Sequence, residues 1–151
     1  MRWSPLESLI DRTKRAAAGA LVIRPDGRLL MVHERWRKEW SYPAGLVESA
    51  ESTLQTCVRE LGEEVNLHLD PERFTFVASE SVSRPLGRLK FDTYVVHVTE
   101  PETTQIKLQA FEITDYKWAT PEEAVNLTSS RLRSRLAKIL ESGVIQKSQS
   151  N

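Results

Sequence analysis

Cysteine is nearly missing from this chain. Cys57 stands alone among 151 residues, so no intrachain disulfide can form and a disulfide-stapled fold is excluded. At an interior position of a helical pattern, Cys57 is expected to act as a small buried hydrophobe rather than a reactive thiol. Net charge is missing too: 21 basic residues face 21 acidic ones. That balance removes any global electrostatic case for duplex nucleic acid or an anionic membrane. No apolar run approaches the length of a membrane span, and residues 1–15 lack the hydrophobic stretch of a signal peptide. The expectation is a cytoplasmic protein. His33, His68 and His97 lack metal-ligand spacing and receive no role.

What remains is an ordinary globular composition, 28% charged and 40% hydrophobic, in a length that suits one domain with a proper core. Residues 1–13 are read as an N-terminal segment with a short helix from Ser4-Pro5, and 142–151 as a polar, disordered tail. Between them, residues 14–141 form the domain. Ala16 to Arg24 reads as a buried strand. Pro25-Asp26-Gly27-Arg28 makes a turn, since Pro sets φ and Gly accepts positive φ, and Leu29 to His33 return as the second strand of a hairpin. Phe74–Val82 and Leu89–Val98 are predicted strands joined by Arg84-Pro85-Leu86-Gly87-Arg88. Thr99 to Leu108 reads as loop with a weak strand near Ile106, and Tyr116–Ala119 as a short strand. Thr120-Pro121 starts a helix. Leu132, Leu136, Ile139 and Leu140 define a last one, whose Arg131, Arg133, Arg135 and Lys138 are expected to be solvated.

The most informative stretch runs from Gly45 to Leu67. A helix starting from Ser52 or Thr53 places Leu54, Val58, Leu61 and Val65 on one apolar stripe. At about 100° per residue, Glu60, Glu63 and Glu64 fall within an arc of roughly 100°. Glu60 and Glu64 are a like-charge pair at four-residue spacing, which costs a helix roughly 0.2–0.5 kcal/mol. A hard divalent cation with oxygen ligands would reverse that sign. A solvated acidic face is the plain alternative. Asn66 is placed to end the helix in left-handed geometry.

Spacing goes further than carboxylate count. Gly45, five residues, Glu51, seven residues, then Arg59-Glu60-Leu61-Gly62-Glu63-Glu64-Val65-Asn66-Leu67 resembles the Nudix box, G-x5-E-x7-R-E-U-x-E-E-x-G-U with U aliphatic. The final Gly of the pattern is Asn66 here, and Ala44 stands where many members carry another Gly. Neither departure removes a carboxylate, and Ala44 matters only if its φ is forced positive.

The resemblance implies an α/β/α sandwich around a mixed sheet. It implies that Glu60, Glu63 and Glu64 bind Mg²⁺ or Mn²⁺, with Glu60 or Glu64 also polarising the attacking water. Arg59 would orient the glutamates, and Glu51 would pair with Arg59 or cap the turn. The main-chain carbonyl of Ala44 or Gly45 would complete the metal shell. Glu112, six residues before Trp118, is similar in layout to a further family glutamate that serves as metal ligand or general base, with Asp115 as the fallback. Arg35, Trp36, Arg37, Arg84 and Phe91 are candidate substrate contacts, with Lys38, Trp40, Tyr42 and Arg88 beside them.

The activity implied is hydrolysis of a nucleoside diphosphate linked to another moiety: a nucleotide sugar such as ADP-ribose, a dinucleotide, or a triphosphate. Pro85 lies near, but not at, the position of a proline found in some ADP-ribose hydrolases, so the substrate stays open. The partner is a small nucleotide, and a homodimer is compatible with the family. The rival is a non-catalytic Nudix-like nucleotide-binding regulatory domain, which usually loses box glutamates that this chain keeps. A nucleic-acid-binding module has only the basic last helix in its favour.

Overall fold

Small and β-branched residues dominate the strand at the centre of the molecule, β1 (Ala16–Ile23), which is buried almost throughout. The computed structural model describes residues 15–85 and 87–143. Its elements after β1 are β2 (Leu29–Glu34), β3 (Trp40–Ser41), β4 (Ala44–Leu46), α1 (Thr53–Val65) and a single 3-10 turn at Pro71–Arg73. They continue with β5 (Thr75–Arg84), β6 (Gly87–His97), α2 (Glu100–Thr103), β7 (Ile113–Ala119), α3 (Pro121–Leu127) and α4 (Ser130–Glu141).

The sheet runs β3-β2-β1-β6-β5, with β4 also pairing β1 and β7 also pairing β2. Among the described residues, only β1 and β6 run parallel, from Ala16 beside Lys90 to Ile23 beside His97; the other pairs are antiparallel. Alternation along β1 divides the core. Ala18, Ala20 and Val22 face Cys57, Leu61 and Val65 of α1. Ala17, Leu21 and Ile23 face Ala124 of α3 and Leu136 and Ile139 of α4. The sheet thus lies between α1 and the α3–α4 pair, an α/β/α sandwich.

Local chemistry explains the element ends. Gly27 takes φ 88° in the β1–β2 turn, where Asp26 is clasped by Arg24 and Arg28. Ser52 caps α1 with Gln55 completing a capping box, and Asn66 closes it at φ 64°. Thr120 caps α3 in the same way through Glu123.

Three expectations change. Residues 99–108 are not simply loop. Thr99 caps the short helix α2 through a box with Glu102, and Ile106 belongs to no strand. The strand expected from Tyr116 begins at Ile113, because pairing with β2 extends to Glu34 across a register shift. On α4, Arg135 is 5% exposed rather than solvated. The expected helix at Ser4-Pro5 and most of the tail from 142 lie outside the described residues.

Candidate active site

Helix α1 buries more of itself than its apolar stripe requires. Leu54 and Val58 are only half-buried, while Thr56, Cys57, Glu60, Leu61, Gly62, Glu64 and Val65 are buried. Glu60 and Glu64 are each 1% exposed, whereas the Glu63 side chain is 48% exposed. The three carboxylates therefore do not share one solvated face. Two sit inside the protein and one at its surface, since Glu63 lies on the edge of the arc away from the sheet.

Burial of Glu60 is permitted by a missing side chain. Gly45 on β4 pairs with Ala18, and a Cβ built there would fall 2.5 Å from Glu60 Oε2. At the other end of the helix, Gln109 Nε2 donates to Gly62 O at 2.7 Å, and Gln109 N to Glu64 O at 3.2 Å. The chain before β7 thereby closes over the last turn.

Arg59 ties the helix to the preceding loop. Its Nε and Nη2 grip Glu51 at 2.7 and 3.0 Å, a two-pronged pairing that fixes both groups. Nη2 also donates to Leu46 O at 3.1 Å, and Nη1 to Glu60 Oε1 at 2.7 Å and Glu63 Oε1 at 3.1 Å. Glu51 accepts further bonds from the Thr56 hydroxyl and Glu48 N. The hydrogen bonds from Arg59, opposed by burial, hold its carboxyl at about 2. The same pairing raises Arg59. One guanidinium thus faces several carboxylates, and the helix remains strongly acidic. Cys57 behind it is buried, and desolvation pushes its thiol up, out of reach of thiolate chemistry.

A cavity of about 400 Å³ opens on the other face of the sheet, against α4. Trp40, Tyr42, Ala44, Phe91, Arg37, Arg131 and Arg135 are among its lining residues. Alternation along β4 relates the two features: Ala44 lines the cavity, and the next residue, Gly45, meets Glu60. β4 pairs only with β1 among the described residues.

The NUDIX domain family model matches residues 13–142. The chain belongs to the Nudix family. CTP pyrophosphohydrolase of Escherichia coli (strain K12) is 31% identical over 110 residues, covering 70% of this chain and 76% of that protein. Nucleoside diphosphate-linked moiety X motif 6 of Xenopus laevis is 26% identical over 126 residues. That match covers 82% of this chain but 58% of the frog protein, so the chain spans little more than half of that relative. The crystal structure of a C. elegans Ap4A hydrolase binary complex superposes with a TM-score of 0.68 at 21% identity, over 84% of this chain and 96% of that one. This last likeness concerns the fold.

Both departures from the Nudix box are mild. Asn66 adopts the left-handed geometry that the pattern's Gly would, and its amide donates to Gln105 O at 3.1 Å. Ala44 does not take a positive φ; among the described residues, the non-glycine one besides Asn66 that does is Ala50, at φ 65°. Ala50, in the loop before the Nudix helix, carried no sequence signal.

Does the Nudix helix suit a metal ion? Among the described residues, no three acidic or histidine side chains are gathered tightly enough to enclose one. The donors present are nevertheless all oxygen: two buried carboxylates one turn apart and the backbone beside Gly45. Mg²⁺ uses one or two carboxylates and keeps several waters, so the donor chemistry fits.

Other sequence candidates scatter. Arg35 lies over Phe111 at 4.2 Å and Trp36 stacks near the same ring, forming a surface cluster away from the cavity lining. Glu112 is half-buried just before β7, its carbonyl accepting from Arg35 N at 2.7 Å. Asp115 sits inside β7, opposite His33, rather than in a loop. Arg88 is engaged by Ser81 across the β5–β6 hairpin, and only the backbone of Arg84 is described. Arg37 and Phe91 do line the cavity.

Two residues escaped sequence reasoning. Asp92 on β6 accepts from the Thr53 hydroxyl at 2.8 Å, anchoring the first turn of α1. Arg135 lines the cavity; its position three after Leu132 and four before Ile139 puts it on the apolar side of α4, a signal that helical spacing offered.

Proposed function

We propose that this chain is a divalent-cation-dependent hydrolase of the phosphoanhydride in a nucleoside diphosphate linked to a second group. The observation that carries this reading is the burial of Glu60 and Glu64, one turn apart on the same helix, with Glu60 set against the Gly45 backbone and Arg59 clamped between Glu60 and Glu51. Burying two carboxylates one turn apart on a helix is costly, and a dication between them would offset that cost. Two relatives, a CTP pyrophosphohydrolase and a nucleoside diphosphate-linked moiety X motif protein, favour the same bond.

In this reading Glu60 and Glu64, with the Ala44 or Gly45 carbonyl, hold Mg²⁺ or Mn²⁺, and Glu63 supports them from the helix surface. An ion held there would neutralise charge on the phosphates and make water a better nucleophile. Arg59 keeps Glu60 in place, and Glu51 keeps Arg59 in place. Water attacks one phosphorus, the bridging P–O bond breaks, and two phosphorylated fragments leave. Glu60 or Glu64 takes the proton, with Glu112 the second candidate. The cavity lined by Trp40, Phe91 and the arginines receives the nucleoside, so the diphosphate passes over β4 toward Glu60.

The test is a panel of nucleoside triphosphates, nucleotide sugars and dinucleotides with Mg²⁺ or Mn²⁺, read as phosphate released after coupling to a phosphatase. Turnover on at least one, abolished by chelation, is expected. No turnover on any with either ion would favour a non-catalytic nucleotide-binding domain.

A further inference from the structure

Arg135 is a guanidinium in a place where guanidinium groups are rarely found, 5% exposed and on the wall of the cavity. Its surroundings define which part of it is committed. Nε donates to Glu80 Oε2 at 2.9 Å. One planar face rests on the Phe91 ring, with Cζ 4.1 Å from the centroid. The Tyr42 hydroxyl, itself bonded to Thr93 Oγ1 at 3.0 Å, lies close enough for Arg135 to offset the rise that burial imposes on its pKa. An arginine carries five N–H donors in a fixed fork. Glu80 and Tyr42 take fewer than five, which leaves Nη donors for whatever fills the cavity.

A structural ion pair alone would not require this arrangement. Glu80 is 35% exposed, so its own charge is solvated without a buried arginine beside it. Instead the fork is stacked, oriented and desolvated at the cavity wall, the condition in which hydrogen-bond donors discriminate most strongly between ligands.

We infer that Arg135 selects the base of the nucleotide, favouring bases that present two adjacent acceptors over those that do not. Guanine offers O6 and N7, and cytosine O2 and N3. Adenine places an amino donor beside N7 and beside N1, which meets the fork donor to donor. Uracil has an N–H between its two carbonyls. A two-pronged arginine contact is the commonest way proteins read guanine, and a side-chain amide pairs with adenine instead. The inference rests on the cavity taking a nucleoside, and it adds which ones.

Binding tests this without requiring turnover. Calorimetric titration of the full chain with GMP, CMP, AMP and UMP, no metal added, should give dissociation constants for GMP and CMP roughly tenfold or more below those for AMP and UMP. Arg135→Gln should lose that preference and gain relative affinity for AMP. Arg135→Lys keeps the charge and the partner Glu80 while removing the fork, so it should lose the preference even if the glutamine variant does not fold. Equal constants for all four monophosphates in the wild-type chain would overturn the inference and leave the hydrolase reading standing. So would a preference retained by Arg135→Lys. Selective binding without turnover on any substrate would do the reverse. Failure of all four to bind at millimolar concentration would overturn the nucleoside assignment of the cavity together with the role of Arg135.

Discussion

Glu60 occupies the volume that a side chain on residue 45 would fill. Its Oε2 lies 2.5 Å from where a Gly45 Cβ would sit, and its Oε1 is held by Arg59 at 2.7 Å. The glycine of the box and the glutamate fifteen residues later are thus one steric unit. Glycine is needed there for close approach, since its φ is not in the left-handed region.

Replacing Gly45 by Ala should therefore act on Glu60 first. Overpacking of this kind costs about 1–3 kcal/mol, and the displaced carboxylate cannot keep both its slot and its bond to Arg59. The variant should fold with a lower denaturation midpoint and lose most hydrolytic activity. A variant with wild-type midpoint and activity would show that Glu60 has room to spare.

Asn66 separates turn geometry from chemistry. At φ 64°, alanine costs about 1–2 kcal/mol, whereas glycine adopts the geometry readily but loses the amide bond to Gln105. Asn66→Ala should lower the urea-derived stability by about that amount, and Asn66→Gly should stay within about 0.5 kcal/mol of wild type. Equal loss in both would assign the position to the Gln105 bond instead.

Glu51 makes the protein acid-sensitive in a defined window. Its carboxyl is held at about 2, against an ordinary 4.5, by hydrogen bonds from Arg59. The unfolded chain therefore binds a proton at a pH where the folded one does not. The stabilisation is fully present above pH 4.5 and is lost as pH falls toward about 2. Wild type should exceed Glu51→Gln in unfolding free energy at pH 6, with the gap narrowing between pH 4.5 and 2. A gap independent of pH would mean that the charge of Glu51 contributes nothing.

Much of this was legible in the sequence because it is encoded locally. The hairpin turn at Gly27, the cap at Ser52 and the stop at Asn66 each rest on residues within a few positions of one another, and each is found where expected. The spacing from Gly45 through Glu51 to Arg59 pointed to the family. Whether the glutamates face solvent was not legible, because burial of Glu60 depends on Gly45 on the neighbouring strand β4, and closure around Glu64 depends on Gln109. Neither contact has a periodic signature. Arg135 was misjudged for a related reason: a basic residue on an amphipathic helix is usually solvated, and here Glu80 and Phe91, from two other strands, override that tendency.

Glu64 is buried near the end of the box, where a carboxylate can serve a metal-dependent hydrolysis. Glu64→Gln changes one carboxylate oxygen to an amide and preserves volume. Steady-state hydrolysis of the best substrate at saturating Mg²⁺, measured beside circular dichroism of the same sample, is the deciding measurement. The expected result is a native spectrum with kcat reduced by about two to four orders of magnitude, the range of a lost acid–base or metal-bound group. A native spectrum with kcat within a few fold of wild type would contradict the assignment of this helix as the catalytic platform.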